Sequence, residues 1–222
     1  MKIQLRKFLF CFLLLQSFII YAQEQPPFWN EIRAFKREDS LKQPPANAIL
    51  FTGSSSFRLW DNIDKSFPSH TIVNRGFGGS SLPDVIRYAD NVIFPYNPKQ
   101  VVIYCGENDI AAADSVTSKM VLQRFQHLFT LIRNRMPGVP ILFVSIKPSP
   151  SRWQMKDRMI AANKSIKKFL RKQKRTHFAD VWTAMLNGDG KPMENIFKED
   201  RLHMNAQGYA IWQKIIEPHL IR

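Results

Sequence analysis

The apolar run Ile49-Leu50-Phe51-Thr52 ends in Gly53 and three hydroxyl residues, Ser54, Ser55 and Ser56. That pattern predicts a buried strand that stops at a tight turn and feeds a helix. A serine there has its backbone N–H at a helix N-terminus, where orphan donors and the dipole favour developing negative charge. The chemistry that suits such a serine is nucleophilic attack on a carbonyl. Taken alone, the three serines read better as an ordinary helix cap.

A serine nucleophile also needs a base, a group that orients the base, and donors for the oxyanion. Four of the five histidines are poor bases. His70 sits in a Pro-Ser loop, His127 in mid-helix, and His219 after a proline near the C-terminus. His177 lies in a strand, where Asp180 three residues on faces the other side. His203 stands apart, because Asp200 precedes it by three in a loop and its carboxylate can hold the imidazole tautomer. By itself that tetrapeptide reads better as a surface pair at a helix entrance. Gly79, in Arg75-Gly76-Phe77-Gly78-Gly79-Ser80, can bring an N–H close to a reacting carbonyl, or simply turn the chain. Asn108, in Gly106-Glu107-Asn108-Asp109, can offer its side-chain amide to the same oxyanion, or cap a helix. Asp109 reads as a brace of its turn, and Cys105 as a core thiol.

The elements that would hold these groups alternate regularly. Phe28, Ile32 and Phe35 predict a short amphipathic helix on the outside of the domain, ended by Gln43-Pro44-Pro45. Strands follow at Ile49–Thr52, Thr71–Asn74, Gln100–Cys105, Pro140–Ser145 and Thr176–Asp180. Helical patterns lie between or after them at Phe57–Ile63, Leu82–Tyr96, Ser115–Arg135, Met155–Arg171 and Ala206–Glu217. Gln100–Cys105 is continuous and apolar, as a central parallel strand should be. Such alternation predicts a three-layer α/β/α domain around a parallel sheet. Ligands in such folds sit beyond the carboxyl ends of the strands. Ser55, Gly79 and Asn108 all fall there.

Residues 1–22 have a basic start (Lys2, Arg6, Lys7), an apolar stretch from Phe8 to Ile20, and the small Ala22, which predicts a cleaved signal peptide. The apolar stretch is short of the ~20 residues of a membrane span, so no anchor is expected after cleavage, with a retained N-terminal anchor as the alternative. An exported protein, periplasmic or extracellular, is therefore expected, with residues 23–45 as helix and linker and 46–222 as the main domain. Cleavage takes three positive charges from the formal +14 and leaves Cys105 as the single cysteine. An internal disulfide is thereby excluded. The basic surplus suggests anionic surroundings and does not establish nucleic-acid binding. No His-Glu-x-x-His and no cysteine pair point to a zinc site.

Together, Gly53-Ser54-Ser55, Asn74 to Ser80, Gly106-Glu107-Asn108-Asp109 and Asp200-Arg201-Leu202-His203 resemble the SGNH (GDSL-type) hydrolases. The resemblance runs from Ala48 to about Leu220. It implies a flavodoxin-like fold with a five-stranded parallel sheet and no obligatory cofactor. It also implies that Ser55 is the nucleophile, His203 the base and Asp200 its orienter, with the Ser55 N–H, Gly79 and Asn108 forming the oxyanion hole. One departure is Ser54, where the family often has Asp, followed by Ser56 where Leu is common. It leaves open what braces the turn.

The expected activity is that of an exported serine esterase that removes short acyl groups, acetyl above all, from a glycan or cell-envelope substrate. The Gly-Ser-Ser-Ser form, the Gly-Glu-Asn-Asp block and the Ile146–Pro150 loop look similar to a bacterial subgroup of esterases. The related platelet-activating-factor acetylhydrolases suggest short acyl groups, and a lysophospholipase is the nearest rival. A non-catalytic basic module that binds an anionic polymer is the rival outside enzymes. Arg58, Glu107, Arg152 and Trp153 lie in or near strand-end loops and are candidates to line a pocket, with packing an equal alternative for each.

Overall fold

In the computed structural model, residues 25–222 are described; the segment 1–22, predicted to be a signal peptide, lies outside them. The sheet is built on β3 (Gln100–Tyr104), every residue of which is buried. Along it, Val101 and Ile103 point into one core and Val102 and Tyr104 into the other, the two-residue alternation of a strand covered on both faces. β1 (Ile49–Gly53) and β4 (Ile141–Val144) flank it, and β2 (Ile72–Gly76) and β5 (Thr176–Ala179) form the edges. All pairings are parallel and the order is 2-1-3-4-5. This is the flavodoxin-like arrangement, with β1 and β3 at the point where strand order reverses.

The first core lies under α1 (Trp29–Leu41), α4 (Leu82–Arg87), α5 (Ala89–Val92), α7 (Ser118–Arg135) and α8 (Lys156–Leu170). The second lies under α2 (Ser55–Arg58), α3 (Ile63–Ser66) and α9 (Ala206–Ile216). The short α6 (Glu107–Ala112) leaves the end of β3 directly. Register then sets the site. Gly53 pairs with both Gly76 and Tyr104, so three strands end at one level. Gly53 has φ 128°, and a Cβ there would lie 2.0 Å from the Tyr104 carbonyl oxygen, so only glycine lets the chain turn so close to its neighbour.

Three expectations are corrected. The predicted helix Phe57–Ile63 is two pieces, α2 and α3, because Asn62 takes a left-handed conformation and Trp60 turns inward to stack on Tyr209 at 4.8 Å. The segment Leu82–Tyr96 is likewise broken, into α4, α5 and a 3-10 turn at Phe94–Tyr96 that includes Pro95. The first helix, Trp29–Leu41, is not merely external. Ile32 is fully buried, and Asp39 binds both Arg75 and the Tyr96 hydroxyl.

Candidate active site

Ser54 is extended (φ −87°, ψ −179°), and Ser55 is the first residue of α2. The Ser54 N–H still bonds the Tyr104 carbonyl at 2.9 Å, as if β1 ran one residue further, so the turn is rigid up to the serine. Ser55 is half-buried. Its Oγ lies 3.0 Å from Nε2 of His203, 148 residues away in sequence.

The loop before α9 carries the histidine. Arg201 adopts φ 55°, and this bend wraps the chain around the Asp200 carboxylate. Oδ1 of Asp200 accepts the backbone N–H of Leu202 (2.9 Å) and of His203 (2.8 Å), while Oδ2 lies 2.6 Å from the His203 Nδ1. Partial burial works against the charged carboxyl, but these three donors prevail and hold Asp200 at about 2. An ionised carboxylate only accepts, so Nδ1 donates to it, which leaves Nε2 as the ring nitrogen able to accept from the Ser55 hydroxyl. The loop is pinned from below by Lys198 N–H to the His203 carbonyl (2.8 Å) and from the side by Ser151 N–H to the Arg201 carbonyl (3.1 Å).

The N–H groups of Ser55 and Gly79 have no protein acceptor among the described residues. Gly79 is exposed, and a Cβ on it would lie 3.8 Å from the Asn108 Nδ2, so glycine and asparagine border one space. Asn108 Nδ2 donates to Ser54 Oγ (2.8 Å) and to the Ser80 carbonyl (3.1 Å). Ser54 thus braces the turn by accepting from Asn108, and its side chain does not cap α2. Both amide hydrogens are engaged, so an oxyanion here would share one of them.

The glycine loop is held from α1. Glu31 Oε2 accepts the Gly78 N–H at 3.0 Å and pairs with Arg58 at 2.8 Å, and the Phe28 ring packs edge-on against Phe77. Sequence reasoning gave Glu31 no role, since nothing in a helical stripe names a loop partner 47 residues ahead. Arg58 is spent on this same contact.

Of the pocket candidates, Glu107 is corrected. Only 4% of its side chain is exposed, and it receives Lys147 Nζ (2.6 Å), the Tyr104 hydroxyl (2.5 Å) and Ser149 Oγ (3.2 Å). Its carboxylate is thus taken up by contacts within the protein. Burial pushes its carboxyl up, but Lys147 and Arg152 outweigh that and leave it below the usual carboxylate range. Burial also lowers the Lys147 ammonium, only partly offset by Glu107. Arg152 reaches over Glu107 (3.3 Å) and donates to the Asn108 Oδ1 at 2.9 Å. The structure does not join Trp153 to this cluster; its ring stacks on Trp182 with centroids 6.0 Å apart. Asp109 braces its turn, accepting the Leu82 N–H (2.9 Å) and pairing with Arg124 (2.8 Å). Cys105 is buried, and burial first, then the Asp109 charge, push its thiol well above the ordinary value.

A serine hydroxyl against a bare imidazole nitrogen, backed by a carboxylate and faced by free N–H groups, can perform acyl transfer. The model of the GDSL-like lipase/acylhydrolase family matches residues 46–211. The chain belongs to this family. No curated protein matches it in sequence. Solved GDSL-like structures share the fold of this family member. A Streptococcus pneumoniae protein described as a candidate platelet activating factor superposes with a TM-score of 0.76 at 19% identity, covering 99% of this chain and all (100%) of that one. A GDSL-like lipase from Bacteroides thetaiotaomicron superposes with 0.70 at 20% identity, covering 84% and 95%. An acetyl-xylooligosaccharide esterase from Geobacillus stearothermophilus superposes with 0.63 at 14% identity, covering 79% and 95%. The GDSL-like hydrolase described here thus has the five-stranded parallel sheet of its structural neighbours.

Proposed function

We propose that this hydrolase is an exported serine esterase that removes acetyl or similarly short acyl groups from a carbohydrate or cell-envelope substrate. The observation that carries it is the 3.0 Å approach of Ser55 Oγ to His203 Nε2, with Asp200 2.6 Å behind the ring. His203 takes the Ser55 proton as Oγ attacks the ester carbonyl, and the imidazolium that forms is stabilised by Asp200. The Ser55 and Gly79 N–H groups and the Asn108 amide receive the negative charge that appears on the carbonyl oxygen, each worth on the order of 3 kcal/mol. His203 then protonates the leaving alkoxide. Next it takes a proton from water, which attacks the acyl-enzyme, and returns it to Ser55 as the acid departs.

The short acyl group is supported by neighbours described as acetyl esterases. A carbohydrate or envelope substrate and export rest on the signal-like residues 1–22 and the basic charge. Para-nitrophenyl acetate and decanoate test the acyl preference. The acetate should be hydrolysed faster; faster hydrolysis of the decanoate would favour a lysophospholipase. A fluorophosphonate should label Ser55, and Ser55→Ala should lose both labelling and activity. Labelling of another serine would overturn the assignment.

A further inference from the structure

The loop after β4 contains a charged group that the mechanism above does not use. Arg152 donates from Nη1 to Asn108 Oδ1 at 2.9 Å, and the same nitrogen lies 3.3 Å from Glu107 Oε1. The amide of Asn108 is therefore gripped at both edges. Its oxygen meets a group that can only donate, and its nitrogen meets the Ser80 carbonyl, which can only accept, at 3.1 Å. Ser54 Oγ, at 2.8 Å, can do either and cannot choose the orientation. A half-turn of the amide would set two acceptors face to face at Ser80 and two donors face to face at Arg152.

We propose that Arg152 is a positioning residue of the oxyanion hole. Its guanidinium locks Asn108 with the N–H edge toward Ser54 and Gly79, and polarises the amide so that it donates more strongly. The proposal rests on the Ser55 esterase reading and deepens it. A charge-assisted hydrogen bond to the carbonyl oxygen withdraws density from the amide nitrogen, which strengthens its N–H donors. The buried ions beneath give this grip its rigidity. Glu107, with 4% of its side chain exposed, is anchored by Lys147, Tyr104 and Ser149, and so fixes where Arg152 can lie. The neighbouring residue extends the effect. The Ser151 N–H bonds the Arg201 carbonyl at 3.1 Å, so one loop registers the oxyanion donor against the Asp200–His203 loop.

The test is steady-state hydrolysis of para-nitrophenyl acetate, an uncharged ester, by the parent, Arg152→Ala, Arg152→Lys, Asn108→Ala and the Arg152→Ala/Asn108→Ala double variant. Losing one oxyanion donor costs ~10²–10³ in rate. A residue acting through that donor should therefore lower kcat by roughly 10- to 100-fold on Arg152→Ala, leave KM within about twofold, and regain part of the rate as Arg152→Lys. In the Asn108→Ala background the Arg152 effect should largely vanish, since its target is gone. Should Arg152→Ala fail to fold, Arg152→Gln and Arg152→Lys carry the same cycle. An unchanged kcat overturns the proposal, as does a loss that persists undiminished without Asn108. An effect confined to KM would make Arg152 a substrate contact instead. Absence of hydrolysis and of fluorophosphonate labelling in the parent would instead remove the esterase reading, a distinct outcome.

Discussion

Two carboxylates flank the candidate site and are held in opposite ways. Asp200 is 47% exposed on its side chain and accepts from two backbone N–H groups and one imidazole. Glu107 is 4% exposed and meets an ammonium, a guanidinium and two hydroxyls. Backbone donors supplied by a bend can orient a carboxylate in water, because they are fixed by the chain itself. A carboxylate in the interior has no such loop around it, and ions brought from distant segments must neutralise it. The base is thus aimed locally, within four residues, while the oxyanion donor is aimed by a network spanning β3 to the loop after β4. Local aiming should cost little stability when broken, and network aiming a great deal.

Asp200→Asn should break the comparison most sharply. The wrong tautomer at His203 should lower kcat on the order of 10⁴-fold, with a modest fall in the thermal midpoint near neutral pH. The Asp200 carboxyl lies below its ordinary value in the folded state, so its stabilisation is present above pH ~4. It is lost as pH falls toward about 2, and melting curves of parent and variant should converge over that interval. Glu107→Gln should behave in reverse. An uncompensated Lys147 ammonium should cost about 3–5 kcal/mol in denaturant unfolding. Glu107→Gln with Lys147→Met should regain most of that. A Glu107→Gln protein of parental stability would sink the idea that these ions are tightly coupled. The smallest effect is expected at Ser54. Ser54→Ala removes one acceptor from Asn108, worth about 1 kcal/mol, and should slow turnover by no more than about tenfold. Ser54→Asp, the commoner residue of the family, should stay close to the parent in the same assay.

Much of the architecture is legible in the sequence because strands and helices announce themselves by period. Gln100–Cys105 reads as a central strand, and Gln100–Tyr104 is one. Where side chains override periodicity, the reading fails: Phe57–Ile63 has a helical pattern, but Trp60 is drawn to Tyr209 and the helix breaks. The nearness of Ser55, Gly79 and Asn108 is legible for a topological reason, since β1, β2 and β3 are neighbours and the turns after them share one rim. Asp200 and His203, in a loop well past the edge strand β5, are marked in the sequence only by their types and by the family resemblance. The function of Glu107 is not legible. A Glu in a strand-end loop looks solvent-facing until Lys147, 40 residues on, is seen to meet it. Asn108 is recognisable by type, yet its tether to Arg152, 44 residues away, depends on a 3-10 turn that no spacing predicts.

One contact outside the family-matched residues 46–211 has a practical consequence. Glu31 of α1 clasps the Gly78 N–H next to Gly79. A protein shortened at its N-terminus to begin at residue 46 would retain every strand and both halves of the serine–histidine pair, yet lose the clasp on the glycine hinge. Such a fragment would be a hydrolase with one loose jaw, slower per turnover even if well folded. The family boundary and the boundary of the working machine do not coincide in this chain.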